Sequence, residues 1–309
     1  MARLMSKLAH ILLAALLLCA GPAVAQDDAL AEDLASEDDR GFIVGLLEDA
    51  LGGEGRTVRV EGFRGALSST AGIDAITVAD ADGVWLALEN VEMVWNRSAL
   101  LRGRIEIERL SAATVSLTRP PVVPAGETPD VQAGGFALPN LPVSVSVAEF
   151  NLETITLGEA ILGEPAEMTL EASAQLAAGS GDVALTARRT DGQQGRFIID
   201  ASYDAATQLA AIALDLTEAE NGITARLLNL PGRPDLRLQV SGEGSIDDLV
   251  TDISLETDGA PRLEGQVVLQ GNSEAGRDFR TELSGDLTPL LPAEYRAFFG
   301  DNTALRARG

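Results

Sequence analysis

Alternation of apolar and polar side chains is the feature that most restricts what this chain can become. Between Gly83 and Pro120 it forms four short runs: Val84/Leu86/Leu88, Val91/Met93/Trp95, Ile105/Ile107 and Val115/Leu117. Successive side chains of a strand point to opposite faces, so each run lines one face of an antiparallel meander, greasy on one side and wet on the other. The apolar set passes from even to odd numbers across Glu89-Asn90, which calls for a turn or a one-residue bulge there. From Val143 onward the pattern resumes in Val143/Val145/Val147, Met168/Leu170/Ala172, Val183/Leu185/Ala187, Ile212/Leu214/Leu216, Leu236/Leu238/Val240, Val267/Leu269 and Phe279/Thr281/Leu283. Turn signals at Asp191-Gly192, Asn221-Gly222, Asp258-Gly259 and Gly271-Asn272 separate many of these runs. The expected fold class is therefore mainly β, a long antiparallel sheet with a few short helices.

Residues 1–25 read as a signal peptide or signal anchor: Arg3 and Lys7, an apolar stretch from Ile11 to Leu18, a break at Gly21-Pro22, and small-x-small at Ala23-Val24-Ala25. The apolar stretch is short beside the roughly 20 residues of a membrane-spanning helix, so cleavage and anchoring both stay open. Residues 26–40 form an acidic tether. A helix is expected from Gly41 to Leu51, ended by Gly52-Gly53, and residues 41–119 group it with the first meander. Six of the 13 prolines fall between Pro120 and Pro142; proline cannot donate to a ladder, so 120–142 is a linker between modules or a long loop. Residues 143–309 continue the sheet, with helical patches expected at Thr217–Leu228 and Pro292–Phe299. In the second of these, Tyr295, Phe298 and Phe299 are expected to dock on the sheet.

Composition removes most chemistry. His10, Cys19 and Lys7 are the only residues of their kinds, all within 1–25. Without that segment the chain has no imidazole, thiol or amine side chain, which excludes Ser-His-Asp and Cys-His catalysis, Schiff bases and the usual zinc sites. The fragment Asp80-Ala81-Asp82-Gly83 has the start of a calcium loop without its later ligands, and reads as a tight turn. A two-carboxylate glycosidase would need a placed acidic pair, and none stands in such a context. No cofactor, metal or catalytic residue is expected. The formal net charge of −24 leaves no basic face to release counterions, so nucleic acid is not an expected partner.

Three segments, Gly53–Ser69 (GEGRTVRVEGFRGALSS), Val84–Arg104 (VWLALENVEMVWNRSALLRGR) and Leu290–Gly300 (LLPAEYRAFFG), carry a resemblance to the amino-terminal portion of the TamB family, the AsmA-like subunit of a translocation and assembly module. The resemblance implies a trough-like curved sheet with its apolar face inward. It also implies a periplasmic location with an inner-membrane anchor or secretion through the Sec pathway, and movement of phospholipid between inner and outer membranes in support of outer-membrane protein assembly. Its implied partners are phospholipid acyl chains, the inner membrane and a TamA-like outer-membrane barrel. The family's carboxy-terminal domain, which meets that barrel, has no counterpart here, so the chain is expected to be a truncated member.

On this reading Leu86, Leu88, Met93, Ile105 and Ile107 are the residues expected to line a lipid trough. The alternative is a closed β-sandwich, serving as an adhesin or binding module without lipid transport. Periodicity does not separate the two, because both bury one face.

Overall fold

The computed structural model describes residues 48, 55–65, 68–122, 144–272, 276–300 and 302–308. Within them, fourteen strands build one sheet whose spatial order is the chain order. They are β1 (Thr57–Glu61), β2 (Thr70–Asp80), β3 (Gly83–Trp95), β4 (Arg104–Leu117), β5 (Ser144–Leu157), β6 (Ala166–Ala177), β7 (Ser180–Arg189), β8 (Gly195–Asp204), β9 (Leu209–Glu218), β10 (Leu236–Ser245), β11 (Asp248–Thr257), β12 (Ala260–Asn272), β13 (Gly276–Gly285) and β14 (Thr303–Arg308). Four short α-helices, α1 (Arg97–Leu100), α2 (Glu159–Leu162), α3 (Ile223–Leu227) and α4 (Ala293–Arg296), and one 3-10 turn (Thr288–Leu290) interrupt them. The sheet is open, and among the described residues no second sheet lies over it. That decides against the closed sandwich for these residues.

Two features of the meander differ from expectation. The runs of 83–95 and 104–117 are two long strands, not four short ones. The sheet is also not wholly antiparallel: β4 and β5 pair in parallel, Arg104 beside Ser144 through Leu117 beside Leu157. A parallel pair needs the chain to return the full length of a strand, and residues 118–143, which include the proline-rich segment, provide that length. The sheet is therefore continuous across the expected linker. The expected helix at 41–51 and the signal segment lie outside the described residues, apart from helical Glu48, whose carboxylate accepts the Val60 N–H at 2.8 Å. Among the described residues no helix is long and apolar enough to cross a membrane.

The switch from even to odd numbering at Glu89-Asn90 is neither a turn nor a register slip. Strand β3 keeps its register with β2 and β4 on both sides of Asn90, which sits at φ 52°. Each neighbour switches in the same row instead. Apolar side chains three residues apart, Ile73/Ile76, Leu88/Val91, Ala112/Val115 and Leu152/Ile155, are cross-strand neighbours through β2, β3, β4 and β5. Strand β6 does not switch, and the difference is taken up as a bulge where β5 meets it, between Leu152 and Ile155. Ile73 and Ile76 pack against the same buried cluster of Val58, Val60, Val78 and Trp85. One fault row thus runs across four strands and keeps their apolar groups on one side.

A separate bulge corrects one expected assignment. Val78 pairs with Leu86 and Ala79 with Val84, so Trp85 is the extra residue. Trp85 is buried in that cluster, while Val84 is 51% exposed and does not join Leu86 and Leu88.

The Asp80–Gly83 turn is structural, as expected. Asp80 accepts from the Asp82 N–H at 2.9 Å, the Val122 N–H at 2.8 Å and Arg119 Nη1 at 2.9 Å. The Arg119 hydrogen bonds, with the Val122 N–H adding to them, hold its carboxyl well below the ordinary value of 3.8.

Asn90→Val should cost about 1 kcal/mol, because a β-branched residue resists positive φ, while Asn90→Gly should be close to neutral; urea unfolding checks both. Because its folded pKa is depressed, Asp80 contributes stability that is complete above its unfolded pKa and is lost as pH falls through about 4 toward the folded value. Asp80→Asn should therefore lower Tm at neutral pH and flatten the acid limb of a Tm-versus-pH curve.

Candidate functional site

Register assigns every strand residue to one of two faces. On one face, apolar rows run across the strands at right angles to the chain. One row is Ala172, Leu185, Ile199, Leu214, Val240, Ile253, Gly265, Leu283 and Leu305, from β6 to β14. A second is Leu170, Ala187, Phe197, Leu216, Leu238, Leu255 and Leu263. Through β5 this face joins the cluster Ile105, Ile107, Val145 and Val147, against which Met93, Trp95, Leu110 and Phe150 pack. The opposite face carries Glu171, Asp200, Asp215, Gln239, Asp252, Gln266 and Glu282 in the corresponding rows.

The five nominated residues all lie on the apolar face, in two neighbourhoods. Ile105 and Ile107 are buried and Met93 packs beside them. Leu86 packs against the Trp85 cluster, with Leu88 half-buried two residues on. The broader uncovered surface is further along the chain. Leu185, Ile199, Leu214, Val240 and Ile253 are only half-buried and Leu305 is 53% exposed. Alternation in the sequence marks Leu185, Leu214 and Val240 as strand residues and not as a site, and it does not mark Ile199, Ile253 or Leu305. Strand β8 went unread because the Ile198-Ile199 doublet hides the alternation Phe197/Ile199/Ala201/Tyr203.

Leu162 of α2 and Ala225 of α3 are buried, as are Ala166, Leu170 and Leu236 of the apolar face, none more than 8% exposed. The two helices meet through an ion pair between Arg226 and Glu164, and Glu164 also lies 3.7 Å from Arg189. Arg189 in turn binds Asp191 at 2.6 Å. Burial opposes ionisation of Asp191, but this bond and the N–H groups of Glu167 and Gln193 outweigh it and lower its pKa. Buried Glu218 accepts the Thr224 N–H at 2.7 Å and ties the start of α3 to β9. Helix α3 is shorter than the expected 217–228, since Thr217 and Glu218 belong to β9, and its buried residue is Ala225 while Leu227 is 46% exposed. Helix α4 also differs from expectation. Tyr295 and Phe298 are 55% and 85% exposed, so the aromatic edge is not docked on the sheet; Phe298 meets Phe299 edge to face at 5.2 Å.

Two concavities, of about 720 and 840 Å³, lie on the polar face around Asp200, Ala213, Ser241 and Asp252. A twisted sheet is saddle-shaped and concave along one diagonal of each face, and small Ala and Ser side chains deepen the bowl on this one. Among the described residues no group of three acidic, His or Cys side chains could hold a metal ion. What the apolar face offers chemically is non-directional contact with another apolar body. No protein-family model, curated protein or solved structure matches the chain.

An uncovered apolar face should bind an environment-sensitive apolar dye. Leu214→Asp with Val240→Asp should reduce anilinonaphthalene sulfonate fluorescence several-fold, while Ala213→Asp on the polar face should leave it unchanged, with circular dichroism confirming the fold of each variant.

Proposed function

We propose that the chain is a non-enzymatic lipid-handling scaffold, with phospholipid acyl chains lying along the apolar face. The observation that carries this reading is the run of half-exposed aliphatic rows from β6 to β14 with no second layer over it among the described residues. From β6 to β14 there are eight strand spacings of about 4.8 Å, giving a strip of roughly 38 Å. Each methylene withdrawn from water contributes about 0.8 kcal/mol. The gain is nearly the same at each point of such a strip, so a chain can move along it without leaving a specific site. The acidic face keeps the sheet in water.

The same reading places the protein in the periplasm, anchored at or secreted across the inner membrane. There it carries phospholipid toward the outer membrane and supports outer-membrane protein assembly with a barrel partner, as a TamB-like protein would. In this reading the apolar face curls to form the inside of the trough. The strips around Leu86, Leu88, Met93, Ile105 and Ile107 are the continuation of the path past β5.

A photo-crosslinking residue at Leu214, and in a second variant at Leu86, should give phospholipid adducts by mass spectrometry when the chain is expressed in a bacterial periplasm. The same residue at Ala213 or Glu92, on the polar face, should give none. Equal labelling of both faces, or none on either in folded protein, would sink the reading.

A further inference from the structure

Four side chains of the apolar face are buried more deeply than one layer of strands accounts for. Ile105 and Ile107 of β4 and Val145 and Val147 of β5 are each no more than 9% exposed. Leu185, Ile199, Leu214, Val240 and Ile253 stand on the same face with strands on both sides, as those four do, and are only half-buried. Met93, Trp95, Leu110 and Phe150 flank the four and are themselves only partly buried. Neighbours in a layer shield one another's sides, while the outer ends of side chains need a body above them. On the polar face of the same two strands the side chains of Arg109 and Glu149 are 57% and 53% exposed.

The topology supplies such a body. Strands β4 and β5 are parallel neighbours inside the sheet, so the chain that joins them passes over one face. It leaves at Val122, whose N–H donates to Asp80 at 2.8 Å beside the turn between β2 and β3. It re-enters at Ser144, whose N–H donates to the Gly103 carbonyl at 3.2 Å beside the start of β4. The return covers the 14 residues of β4, about 46 Å at 3.3 Å per residue, and residues 123–143 reach roughly 70 Å when extended. The buried apolar face and the open polar face at β4 and β5 decide which side the return takes.

We infer that the last part of this crossing, residues 136–141, docks on the apolar face over β4 and β5, with Phe136, Leu138 and Leu141 against the Ile105/Ile107/Val145/Val147 cluster. The sequence fits the place. The two charges of the crossing, Glu127 and Asp130, fall in its first half, and residues 136–143 carry none. They lead directly into Ser144, at the end of the sheet where the cluster lies. Pro139 and Pro142 favour an extended chain and present no N–H, which suits a segment lying across a ladder whose hydrogen bonds are already made. An acyl chain passing β5 would compete with this segment for Ile105 and Ile107. That consequence rests on the function proposed above; the docking does not.

The test uses the full chain with a photo-crosslinking residue at Phe136, a bulky replacement for a bulky side chain, and locates the adducts by mass spectrometry. Adducts within one chain are expected on Ile105 or Ile107, and the same residue at Glu127 should give none there. Phe136→Ser with Leu138→Ser should raise anilinonaphthalene sulfonate fluorescence several-fold by uncovering the cluster, with the circular dichroism of the sheet unchanged, while Val123→Ser with Val131→Ser should leave it as it is. Adducts on Glu106 or Arg109 of the polar face, adducts between two chains, or phospholipid in place of the β4 adduct would each overturn the docking. So would unchanged dye fluorescence in the Phe136→Ser/Leu138→Ser variant. A β4 adduct from Phe136 without phospholipid on Leu214 upholds the docking and removes the lipid, so the two readings fail separately.

Discussion

The in-register stacking of apolar side chains on one face of a single sheet is the constraint on which the other features depend. Each strand contributes only a few such groups, far fewer than it would need to stay folded alone. Stability comes from neighbours: Leu214 gains from Ile199 and Val240, which gain in turn from Leu185 and Ile253. A register error of one residue would move a whole strand's set into water. Every irregularity of the backbone therefore has to preserve the rows, and the observed ones do. The Trp85 bulge turns an indole into the cluster under β1 and β2, and the fault row through Asn90 changes the phase of four strands together.

That coordination explains which parts of the architecture were legible in the sequence. Alternation identifies a strand from its own residues, so most strands could be read, and Asp258-Gly259 marked its hairpin because both residues take positive φ, 51° and 67°. The phase switch at Glu89-Asn90 was visible, but its resolution was not, since it lies in the matching three-residue spacings of β2, β4 and β5. The parallel partnership of β4 and β5 was hidden for the same reason: nothing in either strand records which end its neighbour starts from. Strand β14 went unread because Thr303–Arg308 offers only Leu305 and Ala307 as an apolar pair. Asn221-Gly222 looks like a hairpin turn in sequence, yet it precedes α3, with Asn221 at φ 63°.

The candidate site was legible as a class and not as a place. Leu86, Leu88, Met93, Ile105 and Ile107 were chosen from the densest apolar stretch, and density draws cover. Ile107 is 3% exposed, buried among its neighbours with Met93 and Trp95 beside it. The less striking sequence between Ala172 and Leu305 leaves its aliphatic groups half in water because Ala, Gly and Thr are interspersed among them in the rows. Hydrophobic strength in a sequence thus marks where a core forms, while a sustained but weaker alternation marks where a face stays available.

A sheet with these properties has no natural place to stop. Each added hairpin buries its own inner contacts and presents the same apolar width to solvent, so the exposed face grows in proportion to strand number and never closes on itself. Solubility then has to come from the polar side, which is why carboxylates crowd the outward rows. Charged contacts among Glu164, Arg189, Asp191 and Arg226 link the segments beside α2 and α3.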